Sequence, residues 1–141
     1  MQKTMRSALA VLLVVVCLLT ATACGTEKEA SLWDTATYTE DTTFGDGAKT
    51  IKVEVKAEDK VVTFTVKTDA DTVGAALLEH KLIAGDQGDY GLYVKVVNGI
   101  TADYDKDQTY WAFYVDGEYA MTGVDATAID EGVTYQLAHT K

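Results

Sequence analysis

The chain has 141 residues, 48% of them hydrophobic, and carries 12 Lys and Arg against 22 Asp and Glu, a formal net charge of −10. A surface this acidic repels nucleic acid and anionic lipid headgroups, which argues against both as partners. Both cysteines, Cys17 and Cys24, fall in the first 24 residues, so the rest has no disulfide, no thiol nucleophile and no cysteine zinc site, and is held by its core alone.

Lys3 and Arg6 give the chain a positive start, and Ala8–Leu19 is an unbroken apolar run. Spanning a bilayer takes about 20 apolar residues, so this run fits the core of a signal peptide better than an anchor. Small residues Ala21, Thr22 and Ala23 then precede Cys24. The stretch resembles the lipobox of bacterial lipoproteins, in which cleavage leaves a lipid-modified cysteine at the new N-terminus. Bulky Val16 before Cys17 argues against modification there. The expectation is a leader over 1–23, lipidation at Cys24, and a domain on the extracellular face of the bacterial cytoplasmic membrane; ordinary secretion with cleavage near Ala23 is the alternative. Loss of Lys3 and Arg6 leaves ten basic against 22 acidic residues, a net charge of −12. Attachment would therefore rest on acyl chains rather than on a basic patch.

Residues 24–49 are polar and threonine-rich, with no sustained period, and end in Gly45–Asp46–Gly47. They read as a tether holding the domain roughly 25–30 Å from the membrane. Trp33, Tyr38 and Phe44 are costly to leave wet, so part of the segment near Phe44 is expected to pack on the domain. Residues 50–141 form that domain. Ile51, Val53 and Val55, then Val62, Phe64 and Val66, alternate with period two around Glu58–Lys60, which predicts a β-hairpin with one buried face. From Asp69 to Ile83 the period changes: Val73, Ala76 and Leu77 share a helical face that continues through His80 and Ile83, capped by Asp71 or Thr72 and stopped at Gly85. Gly74 weakens this helix and is explained by a close helix–sheet approach. Leu78 and Leu82, off the main stripe, suggest a second contact surface.

Gly85–Asp89 reads as a loop, followed by a strand whose buried set is Tyr93 or Leu92 with Val94 and Val96. Asn98–Gly99 is a strong turn pair. Tyr110 to Gly123 predicts a hairpin closed at Asp116–Gly117, with Tyr114 paired to Tyr119. Asp130–Gly132 turns the chain into a last strand. The order of two strands, one helix and several more strands is an α+β layout.

The aromatic hairpin and its surroundings resemble the DUF4430 domain of bacterial surface proteins, also described as transcobalamin C-terminal-like. The resemblance spans about residues 45–140 and is most specific at Tyr110–Glu118, Gly123 and Asp130–Gly132, with support from Thr72–Val73 and Val97–Gly99. Asp116 stands where that family usually has asparagine. The resemblance implies a β-grasp-like fold. It also implies a ligand related to cobalamin or another corrinoid. In transcobalamins this domain covers one side of the ligand and a helical domain supplies the rest, so binding here would need a partner, such as a membrane transporter or surface protein.

The site expectations follow from the rings. Trp111 and Phe113 point to one face of their strand and Tyr114 to the other, and Trp and Tyr suit half-wet sites. Tyr90, Tyr93, Tyr110, Trp111, Tyr114 and Tyr119 are the candidate ligand or partner residues, with core packing the competing reading for Trp111 and strand edges for the tyrosines. Asp103, Asp105 and Asp107 alternate as calcium ligands can, but Gln108 and Tyr114 stand where an EF-hand loop needs glycine and glutamate, so a solvated acidic turn is favoured. His80 reads as a partly buried helix residue and His139 as exposed, and no metal site is expected. Serine occurs only at positions 7 and 31. With no catalytic constellation the chain reads as a non-enzyme: a ligand-binding module or, alternatively, a cell-surface protein-interaction module.

Overall fold

The structure, a computed structural model, describes residues 29–141; the leader 1–23 and Cys24 lie outside the described residues. Leu32–Lys141 form one compact unit. In chain order its strands are β1 (Thr42–Phe44), β2 (Lys49–Ala57), β3 (Lys60–Thr68), β4 (Ile83–Gly88), β5 (Gly91–Val97), β6 (Ile100–Thr101), β7 (Tyr110–Val115), β8 (Glu118–Tyr119) and β9 (Thr134–Thr140). Its helices are α1 (Val73–Glu79) and the single turn α2 (Tyr104–Asp107). One sheet runs β1-β3-β2-β9-β7-β8 and a smaller one β4-β5-β6. The β1–β3 and β2–β9 pairs are parallel and the others antiparallel. This is the expected α+β, β-grasp-like arrangement, with one main helix on a mostly antiparallel sheet and an aromatic hairpin.

The period-two pattern of β2 and β3 sets Ile51 opposite Val66, Val53 opposite Phe64 and Val55 opposite Val62. Glu58 takes the positive φ of 54° that their tight turn requires. Strand β9 lays Tyr135 and Leu137 beside Val53 and Val55, extending one apolar face on which Val73, Ala76 and Leu77 of α1 pack. Full burial of each such side chain contributes about 1.5–3 kcal/mol. The Tyr135 hydroxyl accepts from Asp130 N at 2.8 Å, tying the last turn to the core.

Thr72 caps α1, its Oγ1 accepting from Ala75 N at 3.2 Å. The helix is shorter than its apolar stripe implies. It ends at Glu79, because Lys81 adopts a left-handed φ of 56° that no helix can continue through. Leu82 then drops into the core at 2% exposure while Leu78 stays 41% exposed. The expected Leu78–Leu82 surface therefore does not exist. Gly74 does answer to a close approach, but not with the sheet. A Cβ there would lie 2.8 Å from Asp125 Cα and N, in the 3-10 turn Val124–Ala126.

Residues 32–49 belong to the compact unit, so the packing expected near Phe44 reaches back to Leu32. Trp33 is buried and donates Nε1–H to Ala57 O at 2.9 Å. The rings of Tyr38, Phe44 and Phe64 meet edge-on at 5.0–5.9 Å between centroids. Buried Asn98 clamps this segment: its side chain accepts from Tyr38 N (2.9 Å) and donates to Tyr38 O (2.7 Å). Asn98 and Gly99 also supply the two positive φ angles of the β5–β6 turn.

The expected loop at Gly85–Asp89 is mostly strand β4, paired with β5. Ala84 faces Val96 but Gly85 faces Val94, so Lys95 is an extra residue that shifts the register. The bulge lets Leu92, Val94 and Val97 all turn inward, which a strict period of two forbids.

Candidate functional site

Strand β7 pairs with β9 along its whole length, Trp111 facing His139, Phe113 facing Leu137 and Val115 facing Tyr135. Trp111 and Phe113 thus lie on the inner face of the sheet. On its other edge β7 has a strand partner only at Tyr114 and Val115, opposite Tyr119 and Glu118. Asp116 and Gly117 close that hairpin with φ of 48° and 82°. Ala120 N still donates to Phe113 O at 2.9 Å, and the chain then leaves the sheet.

The space beside β7 is an open cleft of about 370 Å³. One wall is Tyr110, Trp111 and Phe113, with Leu137 beneath; the opposite wall is Leu92, Tyr93 and Val94 of β5. Tyr119 to Val124 close one end. Asp125 pins the β5 wall, its Oδ2 accepting from Leu92 N at 3.0 Å. Gly91 is needed there: its φ is +100°, and a Cβ would come within 2.7 Å of the Asp125 carboxylate oxygens.

Four of the six candidate residues line this cleft. Trp111 is 7% exposed and is core and wall at once. Tyr110 is half-buried. Tyr93 is 46% exposed at the mouth, joined by fully projecting Met121; Tyr119 borders one end, but its 61% exposed ring lies against Tyr114. The other two rings lie elsewhere. Tyr90 projects fully at the β4–β5 turn, and Tyr114 is on the opposite face of β7, edge-on to the Tyr119 ring at 5.6 Å. The sequence marks Leu92, Val94 and Phe113 as strand residues rather than site residues and does not mark Met121 or Val124, since nothing in it separates a wall residue from an ordinary core residue.

The polar groups around the cleft are few. Trp111 Nε1 is buried without a hydrogen-bond partner, as are Asp125 Oδ1 and His139 Nε2. His139 is half-buried rather than exposed, its ring 5.3 Å from the Trp111 ring and edge-on to it. Lys95 is held above its ordinary pKa, first by its hydrogen bond to Asp86 and then by that charge; the Nζ–Oδ2 distance is 2.7 Å. A second hollow, between Glu54, Asp116, Thr134 and Gln136, has its side chains already engaged: Gln136 Nε2 donates to Glu54 Oε2 (2.9 Å) and Thr134 N to Asp116 Oδ1 (2.7 Å).

The acidic turn is structural. Asp103 caps α2 by accepting from Asp105 N at 3.1 Å. Asp107 accepts from the Thr109 hydroxyl, the main cause of its pKa lying below the usual carboxylate value. His80 is partly buried against Phe44, and its Nε2 makes no hydrogen bond. Among the described residues no group of three or more His, Cys, Asp or Glu is placed to hold a metal ion, and none of their helices is long and apolar enough to cross a membrane.

Residues 70–136, which hold both walls and the hairpin, match the family described as a domain of unknown function, DUF4430. A solved structure of a candidate metal-binding protein from Ruminococcus gnavus is 32% identical, with a TM-score of 0.62, over 66% of this chain and 97% of that one. Residues 70–136 form a DUF4430-like domain. The domain also shares its fold, at a TM-score of 0.56 and 16% identity, with haptocorrin in complex with Cbi. That likeness takes in 70% of this chain but 26% of the haptocorrin chain. No curated protein matches the sequence.

Proposed function

We propose that this protein, with its DUF4430-like domain, is a ligand-binding module anchored by lipid on Cys24 at the outer face of the bacterial cytoplasmic membrane. In this reading its cleft takes part of a corrinoid-type or similar planar ligand. The observation that carries the reading is the aromatic cleft between β5 and β7, walled by Tyr93, Trp111 and Phe113. The shared fold with the haptocorrin complex makes a corrinoid the first ligand to test. Small-molecule sites run from roughly 300 to 1,000 Å³, and about 370 Å³ is at the low end. A large ring would enter by an edge or a side group, and a partner would cover the remainder. Such sharing offsets the several kcal/mol of lost translational and rotational freedom that half a site meets poorly. Binding is favoured over catalysis because the domain offers no serine or cysteine nucleophile.

Calorimetric titration of residues 25–141 with cobinamide and cobalamin tests this reading. Saturable heat is expected with at least one; none at high micromolar concentration would rule out unaided corrinoid binding. Replacing Cys24 with alanine should move the protein from the membrane fraction to the soluble one, and continued retention would refute the anchor.

A second reading rests on the exposed Tyr93 and Met121 at the mouth, an apolar rim of the kind proteins use to recognise one another. Pull-down from membrane extract with Tyr93→Ala and Tyr110→Ala separates the two. Partners lost in the variants, with no corrinoid heat in the parent, would favour protein recognition.

A further inference from the structure

We infer that the cleft selects an organic cation: an ammonium group that rests at the mouth against the Tyr93 ring and the Asp86 carboxylate, on an apolar body that lies between β5 and β7. The inference rests on the reading of the cleft as a ligand site and names the class of ligand. Tyr93 lines the cleft and is 46% exposed. Asp86 stands directly opposite Tyr93 in the β4–β5 register, so the two side chains leave the same face of the ribbon and are neighbours. The molecule already holds a cation on this pair. Lys95 Nζ lies 2.7 Å from Asp86 Oδ2 and 5.9 Å from the centre of the Tyr93 ring. The first distance is that of a charge-assisted hydrogen bond, and the second is at the outer limit for a cation attracted by a ring.

Charge complementarity decides the class. None of the described residues lining the cleft is charged, so a charged ligand finds its partner at the mouth. Asp86, and after it Asp103 and Asp105, hold the Lys95 ammonium above its ordinary pKa. Lys106 offsets Asp103 from 3.9 Å, and the chain outside the leader carries −12. An anion approaching the mouth meets a field of its own sign. A neutral ligand fills the cleft without using the carboxylate. A cation with an apolar body uses both. An exposed ion pair alone holds little, so the ring and the cleft walls supply the rest. Lys95 is then an internal competitor: its long, flexible stem lets its ammonium swing into water when a ligand takes its place.

Three soluble probes of one shape test this: benzylammonium, benzyl alcohol and benzoate, each titrated into residues 25–141 and followed by the Leu92, Val94 and Leu137 methyl signals. Benzylammonium should give saturable shifts and bind about tenfold more tightly than benzyl alcohol, with benzoate weakest. Asp86→Asn should weaken benzylammonium about threefold and leave benzyl alcohol unchanged. Lys95→Met, which removes the competitor, should tighten benzylammonium about threefold. Lys106→Met removes the same charge beside Asp103 and should change it less. These positions are at or near the surface, and an unchanged proton–nitrogen spectrum away from the mouth checks that each variant folds. Benzyl alcohol or benzoate binding as tightly as benzylammonium would overturn the selection for a cation and leave the cleft reading standing. Equal effects of Lys95→Met and Lys106→Met, or none from Asp86→Asn, would overturn the Tyr93–Asp86 pair as the place of the charge. If none of the probes moves the cleft methyls, this inference fails, while the cobinamide titration decides the ligand reading on its own.

Discussion

Trp33 and Trp111 are almost equally buried, at 8% and 7% exposure, yet they finish differently. Trp33 sits in the closed N-terminal region, its N–H bonded to Ala57 O and Lys60 Nζ 4.8 Å above its ring. Trp111 packs on one side into the core and on the other faces a cleft, its N–H unpaired. Burial alone therefore does not tell the two indoles apart. What separates the two is whether the polar end of the ring is satisfied from within.

The comparison can be broken in several places. Trp33→Ala should cost about 3–5 kcal/mol in urea denaturation, the usual range for emptying a large buried aromatic. A loss below about 1 kcal/mol would return residues 32–49 to the status of a tether. Gly74→Ala tests the support of the cleft's far wall. Alanine gains up to about 1 kcal/mol of helix propensity, but its Cβ would press on the Asp125 backbone. Overpacking of this kind costs about 1–3 kcal/mol, so net destabilisation is expected, with chemical-shift changes at Leu92 through its bond to Asp125. A more stable variant would mean the 3-10 turn yields freely.

A finer test sets Trp33→Phe beside Trp111→Phe. Both trim a ring, but only the first removes a hydrogen bond, so it should cost about 1 kcal/mol more. Equal losses would erase the distinction between the two indoles. The smallest effect belongs to the acidic turn next to His139. The Thr109 hydroxyl holds the Asp107 pKa down, so Thr109→Val should raise it, as read by carbon-detected NMR titration. Because the folded-state pKa is the lower one, the contribution of this contact is present above the unfolded-state pKa and fades as pH falls through the folded-state value. In the variant the loss should be smaller and complete at higher pH, and an unmoved titration curve would deny Thr109 this role.

Much of the frame was legible because local chemistry agreed with it. The β2–β3 hairpin has an uninterrupted period of two, and Asn98–Gly99 and Asp116–Gly117 are residues that tolerate the φ their turns demand. The end of α1 is a local failure, and the others depend on a distant partner. The end of α1 is set by Lys81, a residue type that seldom marks a helix stop. The extra Lys95 hides the phase of β5 until β4 is beside it. Strand β1 exists only through parallel pairing with β3, so Trp33, Tyr38 and Phe44 were its one signal. At the site, Tyr93, Tyr110, Trp111 and Tyr119 were within reach because rings near turns stand out. Leu92, Val94 and Val124 were not, since a cleft wall and a core share one alphabet. Tyr90 and Tyr114 have the right chemistry but lie away from the cleft.

The central claim, that a ligand reaches the second tryptophan and not the first, is tested most directly by following both indole N–H signals of residues 25–141 during a cobinamide titration. The account predicts a saturable change at Trp111 with Trp33 unmoved. Two still signals, or a change at Trp33 with none at Trp111, would contradict it.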